Sequence, residues 1–184
     1  MARIAALRGS SSAHQALLAA FARQVSHKGY RVAGLVQIAK PCPSGCAGLA
    51  LQDLSTGDIV PISQDLGPGS SACNLDSAAL ADACGRVERA IACGADLVIL
   101  SKFGKLEIAR HGLADAFRAA LLAGAPVATS IAAEAFSAWQ IFAGPLADFV
   151  PADVDSLDAW WAAARDLSGP EALADSMSGE GGLA

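Results

Sequence analysis

The chain has 184 residues, 53% of them hydrophobic and 17% charged, with a formal net charge of −5. That length fits one domain with a sizeable core. With an acidic balance, no basic stripe and no aromatic residues interleaved with basic ones, neither nucleic acid nor an anionic membrane surface is an expected partner.

No stretch is long and uncharged enough to suggest membrane insertion. The opening MARIAALR runs straight into a Ser/Gly loop and is not expected to be a signal peptide. The five cysteines are odd in number, in a chain larger than most disulfide scaffolds. Reduced thiols and a cytoplasmic location are the expectation. The abundance of alanine leaves a bland surface, part of which is open to a homo-oligomer interface.

In chain order, residues 2–8 read as a short buried strand and Gly9-Ser10-Ser11-Ser12 as a loop. One of these serines is placed to cap the next helix. Leu17, Leu18, Phe21 and Val25 recur at three- and four-residue spacing and predict a helix over 13–28, ended by Gly29. A second strand covers 30–38. The AKPCPSGC segment is too broken by proline and glycine for regular structure. An antiparallel hairpin is predicted over 47–62, with its turn at Ser55-Thr56-Gly57-Asp58. Residues 63–76 form a long loop, and Asn74 or Asp76 caps a helix over 77–93.

An apolar strand at 96–100 is predicted to open into the loop SKFGKLE. A helix over 112–123, a strand at 126–130, a helix over 133–142, a short extended segment at 146–150 and a helix over 155–167 follow. Residues 1–167 are expected to form a single α/β domain, and 168–184 a flexible Gly/Ser-rich tail. Strands alternating with helices, one of them apolar throughout, predict a three-layer fold. It has a mostly parallel sheet with helices on both faces, like that of phosphate-loop (P-loop) nucleotide hydrolases, plus the hairpin.

The first strand, Gly/Ser loop and helix invite comparison with the pattern G-x-x-x-x-G-K-[ST]. Aligned on Gly9, the second glycine falls on His14, the lysine on Gln15 and the hydroxyl on Ala16. The fixed positive charge and one magnesium ligand are therefore missing. A helix start with Ser10, Ser11, Ser12 and His14 remains, able to hold an anion weakly, or to serve as a plain turn. At the second strand exit, an acid that would support magnesium is replaced by Ser101, followed by Lys102.

The segment LVILSKFGKLE resembles the second motif of the small nucleoside-triphosphatases related to thermophilic cancer-related NTPase. On that resemblance an Asp-Glu pair falls on Ser101 and Lys102, while Gly104, Lys105 and Glu107 are kept. RVAGLVQ at 31–37, LQDLSTGDIVPISQDLG at 51–67, the 73–76 segment, SKFGKLE at 101–107 and W-x-x-F-A-G at 139–144 resemble a family of uncharacterised bacterial proteins often encoded beside molybdate-transport genes. That resemblance implies a degenerate phosphate loop and a link to molybdenum metabolism, without a reaction.

The candidate site therefore gathers Gly9, Ser10, Ser11, Ser12, His14, Gln64, Asp65, Lys102, Gly104 and Lys105. If a helical turn starts at Lys102, the two lysines point the same way. The expected ligand is molybdate, a phosphate group, a pterin phosphate or a nucleotide. The opposing reading has a lysine paired with Glu107, merely shaping the loop. Cys73 is a candidate thiol or metal ligand, and Cys42 and Cys46 could join it at zinc if a fourth ligand existed. Cys84 and Cys93 are expected in the core, as are the tryptophans or else at subunit contacts. Magnesium-dependent hydrolysis is not expected. A divergent hydrolase or transferase and a protein-interaction module are the rival readings.

Overall fold

The computed structural model describes residues 3–41, 47–64 and 74–166. The segment around Cys42 and Cys46, the stretch holding Asp65 and Cys73, and the tail lie outside the described residues.

Among the described residues nine strands and six α-helices follow one another: β1 (Ile4–Arg8), α1 (Ser12–His27), β2 (Val32–Pro41), β3 (Ala47–Asp53), β4 (Ile59–Pro61), β5 (Ser63–Gln64), β6 (Asn74–Leu75), α2 (Ser77–Ala92), β7 (Leu97–Phe103), α3 (Lys105–Ile108), α4 (Ala114–Leu122), β8 (Val127–Ile131), α5 (Phe136–Ala143), β9 (Ala147–Phe149) and α6 (Val154–Asp166). The main sheet runs β4-β3-β2-β7-β8-β1-β9. β2, β7, β8, β1 and β9 are parallel, and β3 and β4 add an antiparallel edge. The predicted hairpin is present, and β2 extends it into a three-stranded meander.

Side-chain alternation builds the layers. Ile4 and Ala6 face one way with Leu35, Val98 and Leu100, beneath α2, α4 and α5. Ala5 and Leu7 face the other way with Leu97 and Ile99, beneath α1 and α6. A strand buried on both faces has to be apolar at successive positions, which is why β7 reads as a continuous run. On the α1 face, Gln24 and Lys28 both reach Asp158 of α6. Trp139, Trp160 and Trp161 are buried, in keeping with a core role. Cys84 is buried, but Cys93 is exposed at the end of α2, contrary to the expected pair of core cysteines.

Two boundaries differ in ways that matter. β7 continues through Ser101 and Lys102 to Phe103, because Phe103 is buried and pairs with Ile131 of β8. Ser101 and Lys102 are thus strand residues, not loop residues. The predicted helix over 133–142 opens as a 3-10 turn at Ala133–Ala135 before α5. Among the described residues no helix is long and apolar enough to cross a membrane.

Gly34 of β2 sits at φ +131° against Ile99 of β7, where a Cβ would lie 1.9 Å from the Ile99 carbonyl oxygen. No side chain fits there without parting the two central strands. Gly34→Ala is expected to cost roughly 3 kcal/mol or more in urea denaturation, from backbone strain plus overpacking. A loss below about 1 kcal/mol would mean that β2 and β7 do not approach this closely.

Candidate functional site

The carboxyl ends of β1, β7 and β8 meet at one end of the sheet, where parallel folds of this type place ligands. Gly9, at φ +97°, turns the chain out of β1, and its N–H donates to the Ile131 carbonyl at 2.9 Å. Ser11 then caps α1. The His14 N–H donates to Ser11 Oγ at 3.3 Å, and the Ser11 N–H donates to His14 Nδ1 at 3.2 Å. This reciprocal cap uses a histidine where a glutamate or glutamine is usual. Ser11 and His14 thus hold each other at the helix start. Ser12 is the exposed first residue of α1.

Gln15 explains how the sheet end is held. It is 6% exposed and lies on the buried stripe of α1 with Leu18, Ala19 and Ala22. β2 stays paired with β7 only as far as Leu35 and Leu100, and the β7–β8 register shifts between Leu100 and Phe103. Backbone groups just beyond those points need other partners. Gln15 Nε2 donates to the Ser101 carbonyl at 2.6 Å and to Ser130 Oγ at 3.3 Å. Gln15 Oε1 accepts from the Gln37 N–H at 2.9 Å. The Ser130 hydroxyl also donates to the Ser101 carbonyl, at 2.7 Å. One amide on α1 thus ties together β2, β7 and β8.

Glu107 holds the next turn. It is buried, accepting from the Gly104 N–H at 2.9 Å and the Leu113 N–H at 3.0 Å. Glu107 does shape the loop, but through backbone N–H groups and not through a lysine. Among the described residues neither Lys102 nor Lys105 belongs to an ion pair. Nor do they share a helical face: Lys102 is the second-last residue of β7 and Lys105 starts α3, so the expected i,i+3 arrangement is replaced by a strand–turn–helix bend.

Both lysines nevertheless line the same cleft, of about 260 Å³, together with Ser10, Gly104 and Gln37. Leu49 and Leu51 of β3 form one wall, and Leu80 of α2 and Leu113 close it. Glu134 stands at the cleft as well. Of the predicted residues, Ser10, Lys102, Gly104 and Lys105 are brought together. Gly9, Ser11, Ser12 and His14 shape the neighbouring turn. Gln64 lies in β5, while Asp65 and Cys73 fall outside the described residues. Ser63 is structural: its hydroxyl accepts from the Leu49 N–H at 2.9 Å.

Sequence reasoning missed Gln15, Gln37 and the β3 wall. Gln15 carried a readable signal, being a polar residue on an otherwise apolar helix stripe. Among the described residues no group of three or more histidine, cysteine or acidic side chains could hold a metal ion. Burial, with a smaller contribution from the nearby Glu88 carboxylate and a partial offset from the Ala116 backbone, pushes the Cys84 thiol up to about 11. A thiol that stays protonated at neutral pH is a poor nucleophile.

Residues 4–160 match the profile of the family described as "Protein of unknown function (DUF2478)". The chain belongs to that family. This DUF2478 chain is 41% identical over 153 residues to the "Molybdenum import ATP-binding protein ModC 2" of Bradyrhizobium diazoefficiens. The match takes in 83% of this chain and only 17% of that relative's length. Among solved structures, the fold is similar to that of THEP1 from the hyperthermophile Aquifex aeolicus, with a TM-score of 0.58 over 89% of this chain and 98% of that one. At 13% identity that likeness shows the fold alone: an α/β, mixed and largely parallel sheet of the P-loop NTPase kind. In this DUF2478 chain Gln15 stands where the alignment on Gly9 puts the lysine of the phosphate-loop pattern.

Replacing Gln15 with leucine keeps the side-chain bulk but strands the Gln37 N–H and removes a donor from the Ser101 carbonyl. Gln15→Leu is expected to lower unfolding free energy by about 2–3 kcal/mol in urea titration. A loss under about 0.5 kcal/mol would show that the amide holds nothing together.

Proposed function

We propose that this chain is a non-hydrolysing anion- or nucleotide-binding accessory protein in molybdenum homeostasis, with its ligand held at the β7 exit. The observation that carries the reading is the pairing of a buried, hydrogen-bonded Gln15 in the lysine slot with two lysines, free of ion pairs among the described residues, on the neighbouring cleft. Phosphoryl transfer in P-loop enzymes depends on a lysine at the phosphates and on magnesium held by a hydroxyl and an acid. Here those positions carry Gln15, Ala16 and Ser101.

The molybdenum context is supported by the name of the 41% identical relative, of which this chain corresponds to a small part. The oxyanion is molybdate, or the phosphate group of a larger molecule or nucleotide. The lysines act as point charges for it, and the Ser10 hydroxyl is available beside them.

A second reading, a protein-interaction module, is favoured by a different observation. Leu122 and Ile141 are 78% and 87% exposed beside a groove of about 810 Å³ between α4 and α5. Isolated apolar residues are normal on a surface, but two beside a groove are a feature of interaction sites.

The test is calorimetric titration with molybdate, tungstate, sulfate, phosphate, ATP and GTP, with and without magnesium. At least one anion is expected to bind, about tenfold more weakly in Lys105→Ala, a loss of about 1.4 kcal/mol. No magnesium-dependent phosphate release is expected. Magnesium-dependent ATP hydrolysis that vanishes in Lys105→Ala would contradict the reading. Silence across the panel would favour the interaction module.

A further inference from the structure

The cleft has walls that a bare oxyanion does not use. Tetrahedral anions are held by converging N–H and O–H donors. Here Lys102, Lys105 and Ser10 occupy part of the lining, while Leu49, Leu51, Ile62 and Leu80 make up a broad part of the rest. Leucine and isoleucine side chains offer no hydrogen bonds. A small dianion seated among them would lose water without replacement, at considerable cost. The same walls stabilise any apolar group laid against them.

The wall is built by the fold. β2 and β3 run on in antiparallel register from Val36 and Gln52 to Pro41 and Ala47, beyond the last β2–β7 pair at Leu35 and Leu100. Leu49 and Leu51 belong to this projecting ribbon, so it stands up beside the β7 exit. The Gln15 amide takes the N–H of Gln37, a β2 residue that lines the cleft. Positive charge then lies with the lysines at β7 and α3; Glu107, which also lines the cleft, has its carboxylate taken up by the Gly104 and Leu113 N–H groups, and apolar surface lies with the ribbon and α2.

We propose that the ligand is an amphiphilic organic phosphate: a phosphate monoester carried on an apolar, flat or branched body. The phosphate lies against Lys102 and Lys105, and the body lies along Leu49, Leu51, Ile62 and Leu80. Glu134 repels the phosphate from its own part of the cleft, so the head group has one favoured orientation. A ribose triphosphate is a poor fit, because its hydroxyls and phosphates would meet the same leucines without partners. This inference rests on the reading of the β7 exit as an anion site and narrows its ligand.

The test compares inorganic phosphate, naphthyl phosphate and naphthol, titrated into the full chain and into Lys105→Ala, Leu49→Ala and Leu75→Ala. Leu75 also lines the cleft and is partly exposed, so its truncation leaves the core intact. Naphthyl phosphate is expected to bind at least about tenfold more tightly than either inorganic phosphate or naphthol, because it uses both halves of the cleft. Leu49→Ala and Leu75→Ala should each weaken naphthyl phosphate severalfold and leave inorganic phosphate unchanged. Lys105→Ala should weaken both phosphates. Equal affinity for the two phosphates, or wall variants without effect, overturns the amphiphilic ligand and leaves the anion site standing. Naphthyl phosphate binding that Lys105→Ala does not alter, with no inorganic phosphate binding, overturns the anion site as well.

Discussion

At one end of this sheet β2 overruns its pairing with β7 and the β7–β8 register shifts, and a single buried amide ties the three strands there. Gln15 supplies a donor to the Ser101 carbonyl and an acceptor to the Gln37 N–H, two groups beyond the regular pairing of their strands. An unpaired backbone group in that position would cost as much as several good surface contacts provide. The amide sits where β2 leaves β7 and where the β7–β8 register shifts, next to the strand end that carries Lys102. The Ser130 hydroxyl shares the load from β8.

That constraint bears on function. In a phosphate loop the corresponding helix position reaches up to a ligand with a charged lysine. Here it reaches sideways into the sheet and is no longer available to one. The loop before α1 is likewise closed by its own cap, with Ser11 and His14 satisfying each other. Lys102 and Lys105 instead lie at the β7 exit, lining the cleft there. Glu107 keeps that second turn in shape from beneath, by binding two backbone N–H groups and leaving the lysines without ion partners among the described residues. The molecule retains a P-loop-like framework while its electrostatics point to a different opening of the same sheet end.

Much of the framework was legible in the sequence because it is periodic. The helical spacing of Leu17, Leu18, Phe21 and Val25, the uninterrupted LVIL strand and the turn at 55–58 each reflect local rules, and they led to a layered α/β sheet with one hairpin. The end of β7 was misread because Ser101 and Lys102 look like loop residues. The long-range pairing of Phe103 with Ile131 keeps them in the strand. The cleft wall was illegible for a related reason: that Leu49 and Leu51 stand opposite Lys105 depends on how far β2 overruns β7. Gly34 is the residue that lets those two strands meet at all, yet its sequence neighbourhood reads as an ordinary strand. That Lys102, Gly104, Lys105 and Ser10 line one cleft was legible because charge and glycine cluster at strand exits. That His14 completes the α1 cap was not legible, because a histidine is not the usual partner in that motif.

Whether an anion is taken at the β7 exit or at the first turn of α1 can be read directly by nuclear magnetic resonance. Isotope-labelled protein would be titrated with naphthyl phosphate while the Gln15 side-chain amide and the backbone amides of residues 9–15 and 101–107 are followed. The β7–α3 amides around Lys102 to Lys105 are expected to shift, while the Gln15 side-chain protons stay in place and exchange slowly with solvent. Large shifts confined to Ser11–Gln15, with rapid exchange of the Gln15 amide, would contradict binding at the β7 exit. They would mean that the ancestral-type loop, not the lysine cleft, still takes the anion.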